Sequence, residues 1–311
     1  MQSALKGSRR RSMAKEATVA CEPFSLEKGM QYLDHFSSCS QKSCDYSLVN
    51  LWAWDEYFGY HWAWDGDLVW LLCTRPYEAF QAPVGRWETQ DWREIFERFP
   101  EGTCFERVPE RLACIWKRAL GDQLEVRDDR GQWEYIYRIK DLVELKGNRY
   151  HGKRNLLRQF MKNYDWTYSR LEDRHIPEVL KMQQEWCESR DAENSVGIAV
   201  EDVAIKRTFS RWQELPNLIG GVLYAGGKMV AYTVGERLDD DTLLIHFEKG
   251  LSQYKGVYQA INYLFLLNEG AEFTWVNREQ DLNIEGLRKA KMSYNPAFFL
   301  RKCRVKWLGV S

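Results

Sequence analysis

The chain has eight cysteines, yet no two form a C-x-x-C pair. The nearest approach to a pair, Cys39 and Cys44, reads as structural or surface thiols, and a length of 311 residues argues against a disulfide scaffold. Cys21, Cys39, Cys44, Cys73, Cys104, Cys114, Cys187 and Cys303 read as free thiols of a reducing cytoplasm, with no metal site. No apolar run approaches the roughly 18 residues that span a bilayer. The expectation is a soluble, cytoplasmic chain with at most peripheral membrane contact. Net charge is −1, so no global field recruits nucleic acid or membrane, and any such attraction has to be local. Residues 1–20 carry Lys6, Arg9, Arg10, Arg11 and Lys15 but lack the apolar core of a signal peptide. They read as a disordered basic start, with Met1 and Met13 both candidate initiators.

What is present points to packed cores. The apolar fraction is 44%, and 14% of residues are aromatic, 14 of them Trp. The length suits two units of roughly 150 residues, placed at 21–163 and 164–311. Helices are expected over Phe24–Phe36, 46–58 and 91–99. Tyr60–Trp64 and Leu68–Cys73 flank Asp65-Gly66, a hairpin signal. The tryptophans here read as core packing rather than a ligand cage. Two strands lie around Asp128–Gly131, within Gly121–Tyr137.

Residues 146–162 carry Lys146, Arg149, His151, Lys153, Arg154, Arg158 and Lys162 and no acid. In a helix from about Lys153, Leu156, Leu157, Phe160 and Met161 turn inward. Arg154, Arg158 and Lys162 then line one face at i, i+4 and i+8. Like charges at that spacing repel, so the stripe reads either as a site for an anionic partner or as a solvated face.

Further along, helices are expected over 177–189 and 201–213, then strands at Gly220–Ala225, Met229–Arg237 and Thr242–Phe247. A loop, Gly250–Gly256, enters an apolar helix presenting Val257, Ile261, Leu264 and Phe265. A strand at 273–276 gives way to Asn277, Arg278, Glu279, Gln280 and Asp281, with no apolar residue between them. Asp281 or Asn283 is placed to cap the next helix, which ends near Lys291 and is stopped by Pro296. Phe298–Trp307 reads as a last strand. Polar groups where a strand hands over to a helix sit where open α/β sheets expose function. The plain alternative is a solvated loop with a good cap.

This element order resembles the N-acetyltransferase (GNAT, acyl-CoA N-acyltransferase) fold. The fold class it implies is α/β (α+β), with two tandem GNAT-like units, each a mixed, mostly antiparallel sheet flanked by helices. That family binds the pyrophosphate of acetyl-CoA at a helix N-terminus, through a loop of pattern Q/R-x-x-G-x-G/A. Gln253, Gly256 and Tyr258 occupy the pattern here, and Lys255 adds a cation. The Tyr258 phenol crowds the place where Gly or Ala admits the pyrophosphate.

Four segments carry a closer resemblance: Glu144–Asn155, Ile245–Lys249, Gly256–Asn262, and Val276–Leu282 with Gly286–Pro296. They resemble the family of the phosphatidylglycerol lysyltransferase C-terminal domain, itself similar to the Fem-type aminoacyl ligases. The resemblance implies aminoacyl transfer from aminoacyl-tRNA to an amine or hydroxyl, in a cleft between the units, with no permanently bound cofactor. The full-length lipid enzymes carry a long membrane region that this chain lacks, so amine, peptide or protein acceptors stand beside a lipid head group. The implied proton acceptors are Glu248, Glu279 and Asp281. Lys249, Lys289 and Lys291 would hold phosphates or an oxyanion, with Asn277 and Tyr294 donating hydrogen bonds. Lys153, Arg154, Asn155 and Arg158 would meet the tRNA acceptor end, with Arg278, Lys255 and Gly256 as further phosphate contacts. Two other readings stay open: an acetyl-CoA-dependent N-acetyltransferase, and a binding module without catalysis. Glu248-Lys249 and Arg278-Glu279 read equally as internal ion pairs. His246, alternating with Ile245 and Phe247, reads as a packed residue or a catalyst.

Overall fold

A computed structural model describes residues 20–190 and 196–310. The expected basic start, apart from Ala20, lies outside the described residues. Packing divides the chain into two compact units elsewhere than at 163/164. The first takes residues up to Gln41, Phe58–Asp128 and those from Lys302 onward; the second takes Lys42–Tyr57 and Asp129–Arg301. The shift follows from strand pairing and helix packing in 129–163, described below.

The first unit is one mixed sheet. Its strands are β1 (Glu22–Pro23), β2 (Tyr60–Asp65), β3 (Leu68–Cys73), β4 (Ala79–Gln81), β5 (Val84–Gly85), β6 (Cys104–Pro109), β7 (Leu124–Asp128) and β15 (Lys302–Trp307). The order is β1-β2-β3-β4-β6-β15-β7, with β5 paired to β3. The expected hairpin is β2–β3, and Gly66 takes φ +58 in its turn. β4 and β6 form the parallel pair, Phe80 opposite Phe105 and Gln81 opposite Glu106. Helices α1 (Gly29–Ser38), α3 (Trp92–Glu97) and α4 (Glu110–Leu120) complete the unit, while α2 (Leu48–Phe58) goes with the second unit as far as Tyr57. The tryptophans are core: Trp70, Phe96, Phe105 and Trp116 are fully buried. Ring centroids lie 4.9 Å apart for Phe96–Trp116 and 5.3 Å for Phe105–Trp116, in the edge-on geometry aromatic pairs prefer.

The second unit has β8 (Glu134–Arg138), β9 (Trp166–Arg170), β10 (Leu218–Ala225), β11 (Lys228–Arg237), β12 (Thr242–Gly250), β13 (Trp275–Asn277) and β14 (Phe298–Leu300). Their order is β14-β8-β13-β12-β11-β10-β9, antiparallel throughout except β12–β13. Its further helices are α5 (Ile139–Glu144), α6 (His151–Asn163), α7 (Ile176–Ser189), α8 (Val196–Ser210), α9 (Val257–Glu269) and α10 (Glu285–Met292). β8 pairs with both β13 and β14, and α6 packs on α9, so residues 129–163 belong with the later chain. The expected final strand is broken at Arg301: β14 pairs with β8, whereas β15 pairs with β6 and β7. Two apolar cores cover the sheet. One includes Ile245, Ile261 and Phe265; the other includes Tyr232, Phe247 and Phe209.

Among the described residues, no helix is long and apolar enough to cross a membrane. The cysteines are all free thiols. Cys44, Asp45 and Glu134 converge, buried. The Glu134 carboxylate there accepts from the Ser43 hydroxyl (2.6 Å), the Cys44 backbone N–H (3.1 Å) and Asn277 Nδ2.

Candidate active site

The parallel pair of the second unit parts almost at once. Thr242, Leu243 and Leu244 face Trp275, Val276 and Asn277, and there the pairing ends. β12 runs on to Gly250 held only by β11, while the chain after Asn277 turns away. The gap is a cavity of about 790 Å³. Its lining residues all belong to the second unit, which corrects the expectation of a cleft shared by two halves. The segment that suggested the first half, around Lys153, packs as part of the second.

β12 presents its charges through a bulge. Val234 pairs with Phe247 and Gly235 with Ile245, so His246 is the extra residue. A bulge shifts the alternation of side chains: Ile245 lies in one core and Phe247 in the other. The expectation of simple alternation fails for that reason. His246 is fully buried between two carboxylates, Nδ1 at 3.2 Å from Glu279 Oε1 and Nε2 at 3.4 Å from Glu236 Oε1. Burial opposes its charge, but Glu236 and Glu279 outweigh burial and raise its pKa to about 9. The ring is an imidazolium at neutral pH.

Glu279 is tightly held, one of two lining residues, with Leu282, in a left-handed conformation. Its φ is +54, a left-handed conformation that non-glycine residues rarely take. Its N–H donates to Asn277 Oδ1 (2.9 Å), and its carbonyl accepts from the Tyr135 N–H (3.2 Å). Lys291 Nζ donates to the carbonyls on either side, those of Arg278 (2.6 Å) and Gln280. Burial lowers the Lys291 pKa to about 8. The Glu279 carboxylate is fixed at Oε1 by Asn50 Nδ2 (2.9 Å) and by His246, and Oε2 carries neither bond.

The remaining carboxylates of the lining are also paired. Glu248 accepts from Arg278 Nη2 (2.9 Å) and from Asn262 Nδ2 (3.1 Å) on α9. Lys249 donates to Glu201 (2.6 Å) and lies 4.1 Å from the Trp186 ring centroid. Lys153 Nζ lies 4.0 Å from the Tyr294 ring, with Arg278 5.0 Å from the same ring. Burial and the Arg278 charge lower the Lys153 pKa. Burial raises that of Tyr294, whose hydroxyl accepts from Gln259 (3.3 Å).

Of the residues singled out from sequence, the cavity gathers Lys153, Glu248, Lys249, Arg278, Glu279, Lys291 and Tyr294, with Asn277 bracing Glu279. The others lie elsewhere. Asp281 is fully buried in a cage of Arg130 (3.0 Å), Arg288 (2.8 Å) and the Tyr135 hydroxyl (2.6 Å). Burial works against its charge, but these donors hold it far below the usual carboxylate range. It caps no helix, and neither does Asn283, whose side chain accepts from Arg288; α10 starts after Ile284 without a side-chain cap. Lys289, Asn155 and Arg158 are exposed and outside the lining. Arg154 leaves the expected stripe to donate to the carbonyls of Leu145 and Gly147.

The glycine loop has a packing role. Gly256 has φ +87, and a Cβ there would lie 2.2 Å from the Leu156 carbonyl oxygen on α6. Lys255 is exposed, its N–H donating to the Tyr164 hydroxyl (3.1 Å), and the Tyr258 hydroxyl accepts from Trp186 (3.0 Å). Sequence reading missed Glu236, Glu201, Asn50 and Trp186. Glu236 and Glu201 carried only ordinary charge, and nothing linked Asn50 to a site some 230 positions later in a sequence read without contacts.

The family model described as phosphatidylglycerol lysyltransferase, C-terminal, matches residues 36–305. A conserved protein of unknown function from Bacteroides thetaiotaomicron is similar over 93% of this chain and 100% of its own, at 28% identity and TM-score 0.85. L-PGS from Bacillus licheniformis is similar over 93% of this chain and 94% of its own, at 14% identity and TM-score 0.63. FemX is similar over 93% and 97%, at 8% identity and TM-score 0.61. At such identities these last two likenesses speak for the fold alone, the tandem GNAT-like class expected from the sequence. No curated protein matches the sequence.

Proposed function

Because the chain belongs to the phosphatidylglycerol lysyltransferase C-terminal family, we propose that its second unit moves an aminoacyl group from aminoacyl-tRNA to an amine or hydroxyl acceptor. The observation that carries this reading is Glu279, locked in a left-handed conformation by Lys291, Asn277 and His246 at the wall of the cavity. Strain of this kind persists only where surrounding contacts over-determine it, and it clusters at working sites.

An aminoacyl ester is already activated, so the site must orient the nucleophile, take its proton and stabilise the oxyanion. Glu279 takes the proton at Oε2, because Oε1 is occupied by Asn50 and His246. An ammonium has three donors; Lys291 uses two on backbone carbonyls and has a third for the oxyanion. The acyl–oxygen bond to the tRNA ribose then breaks as the acceptor bond stands, and the proton leaves with the ribose hydroxyl.

Acetyl-CoA is the weaker donor. Gly256 faces a helix carbonyl rather than open space, and Tyr258 is engaged by Trp186. The test is transfer of labelled amino acid from charged tRNA to an amine panel, beside melting curves with charged tRNA, acetyl-CoA and CoA. Transfer and a melting shift with charged tRNA alone are expected; a ligand at 100 times its Kd adds about 2.7 kcal/mol. A shift with CoA alone, without transfer, overturns the reading.

A further inference from the structure

Behind the cavity wall stands a carboxylate that the proposed chemistry does not use. Glu236 lies on β11 opposite Leu244, is 5% exposed and does not line the cavity. The bulge that makes His246 the extra residue of β12 sets its ring between Glu236 and Glu279. His246 Nε2 and Glu236 Oε1 stand 3.4 Å apart, and neither atom has another partner among the described residues. On the other side Nδ1 is 3.2 Å from Glu279 Oε1, which Asn50 Nδ2 also holds at 2.9 Å. An ionised carboxylate only accepts hydrogen bonds. A ring that faces one at each nitrogen therefore needs a proton on both, and a ring that faces a single carboxylate needs only one.

We infer that Glu236 is a positioning residue of the proposed transfer: it holds both protons on the His246 ring, and the ring in turn anchors Glu279 at Oε1, leaving Oε2 for the acceptor. The inference rests on Glu279 being the base of that transfer and adds the group that keeps it aimed. A charged donor makes a shorter and stronger hydrogen bond to a carboxylate than a neutral one does, so a doubly protonated ring fixes Glu279 more firmly. Burial works against a charged ring, and the Glu236 and Glu279 charges outweigh it. The charged groups facing the ring are Glu236 from β11 and Glu279 from the turn after β13, and Lys291 on α10 attracts Glu279 in its turn. An unpaired charge in mid-sheet is costly, so Glu236 is tolerated there only with a charged His246 beside it. Neutralising Glu236 strips the ring of its second proton without changing the cavity lining.

The test is side-chain nitrogen NMR of His246 in the full chain and in Glu236→Gln at about pH 7.5, beside the pH dependence of transfer in both. Two protonated ring nitrogens are expected in the unaltered chain and one in the variant. Transfer by the unaltered chain is expected to fall as the ring titrates at about pH 9, in kcat rather than in KM. The variant is expected at about a tenth of the rate below that pH, with no fall of its own there. A substitution that only loosened the fold would lower the rate and keep the fall. Should Glu236→Gln not fold, the unaltered chain still decides, because the midpoint of the ring by NMR and the alkaline midpoint of transfer must coincide. A neutral ring in the unaltered chain, a ring still doubly protonated in the variant, or an alkaline fall that the variant shares overturns the inference. The expected ring charges without transfer by either chain would break only the proposed function.

Discussion

Among the described residues each unit has one parallel strand pair, short in both, and what packs beside it differs. In the first, β4 and β6 pair over two residues only, and rings pack there: Phe80 and Phe105 face each other across the pair, with Trp70 and Trp116 packed on Phe105. In the second, β12 and β13 part after three residue pairs, and charged side chains fill the mouth of the gap. A splayed parallel pair leaves strand ends without ladder partners, and those backbone and side-chain groups must be satisfied by polar contacts. The second unit does this with Asn277, Lys291 and His246, and the outcome is a polar cavity. The first packs aromatic rings beside its pair instead.

The contrast is broken or sharpened by substitutions on each side. The largest effect is expected for Glu279→Gln, a loss of about 10²- to 10⁴-fold in transfer rate, in a chain that still folds with a melting temperature lowered by the loss of the His246 pair. Single-turnover kinetics on the variant checks it. Trp116→Ala in the first unit should do the opposite, costing about 3–5 kcal/mol in denaturant unfolding while the folded fraction turns over normally. Arg278→Met leaves Glu248 buried without its cation and should cost about 3 kcal/mol; Glu248→Leu added to it should recover most of that loss. Gly256→Ala should cost about 1–3 kcal/mol through backbone strain, since its φ is +87 and the Leu156 carbonyl lies in the way. Donor affinity should not change, which separates a packing glycine from a phosphate-binding one.

The smallest effect is a pH profile. His246 keeps its proton up to about 9 in the fold, against 6.5 for an ordinary imidazole. Its pairs with Glu236 and Glu279 therefore stabilise fully below pH 6.5, and that contribution is lost as pH rises through 9. Lys291 acts in the other direction, because its lowered pKa makes the fold gain stability above pH 8. His246→Gln should flatten the profile between 6.5 and 9 and leave the Lys291 rise.

Much of this was legible in the chain itself. Periodicity placed the β2–β3 hairpin, the three strands from Leu218 to Gly250 and helix α9, because local pattern and burial agree there. The members of the polar run from Asn277 to Asp281 separate in the fold: Glu279 reaches the cavity and Asp281 a cage of arginines. Nothing in a run of five polar residues says which way each one turns. Unit boundaries failed at β14 and β15, adjacent in sequence and paired into different sheets. The bulge at His246 was invisible because alternation is the only signal a strand gives, and an extra residue leaves that signal intact.

A crystal structure with a non-hydrolysable 3′-aminoacylamido adenosine tests the central claim most directly. The account predicts the acyl carbon in the cavity beside β12, with its attacking position within hydrogen-bond reach of Glu279 Oε2. An analogue bound in the first unit, or in the second with Glu279 out of reach, would contradict it.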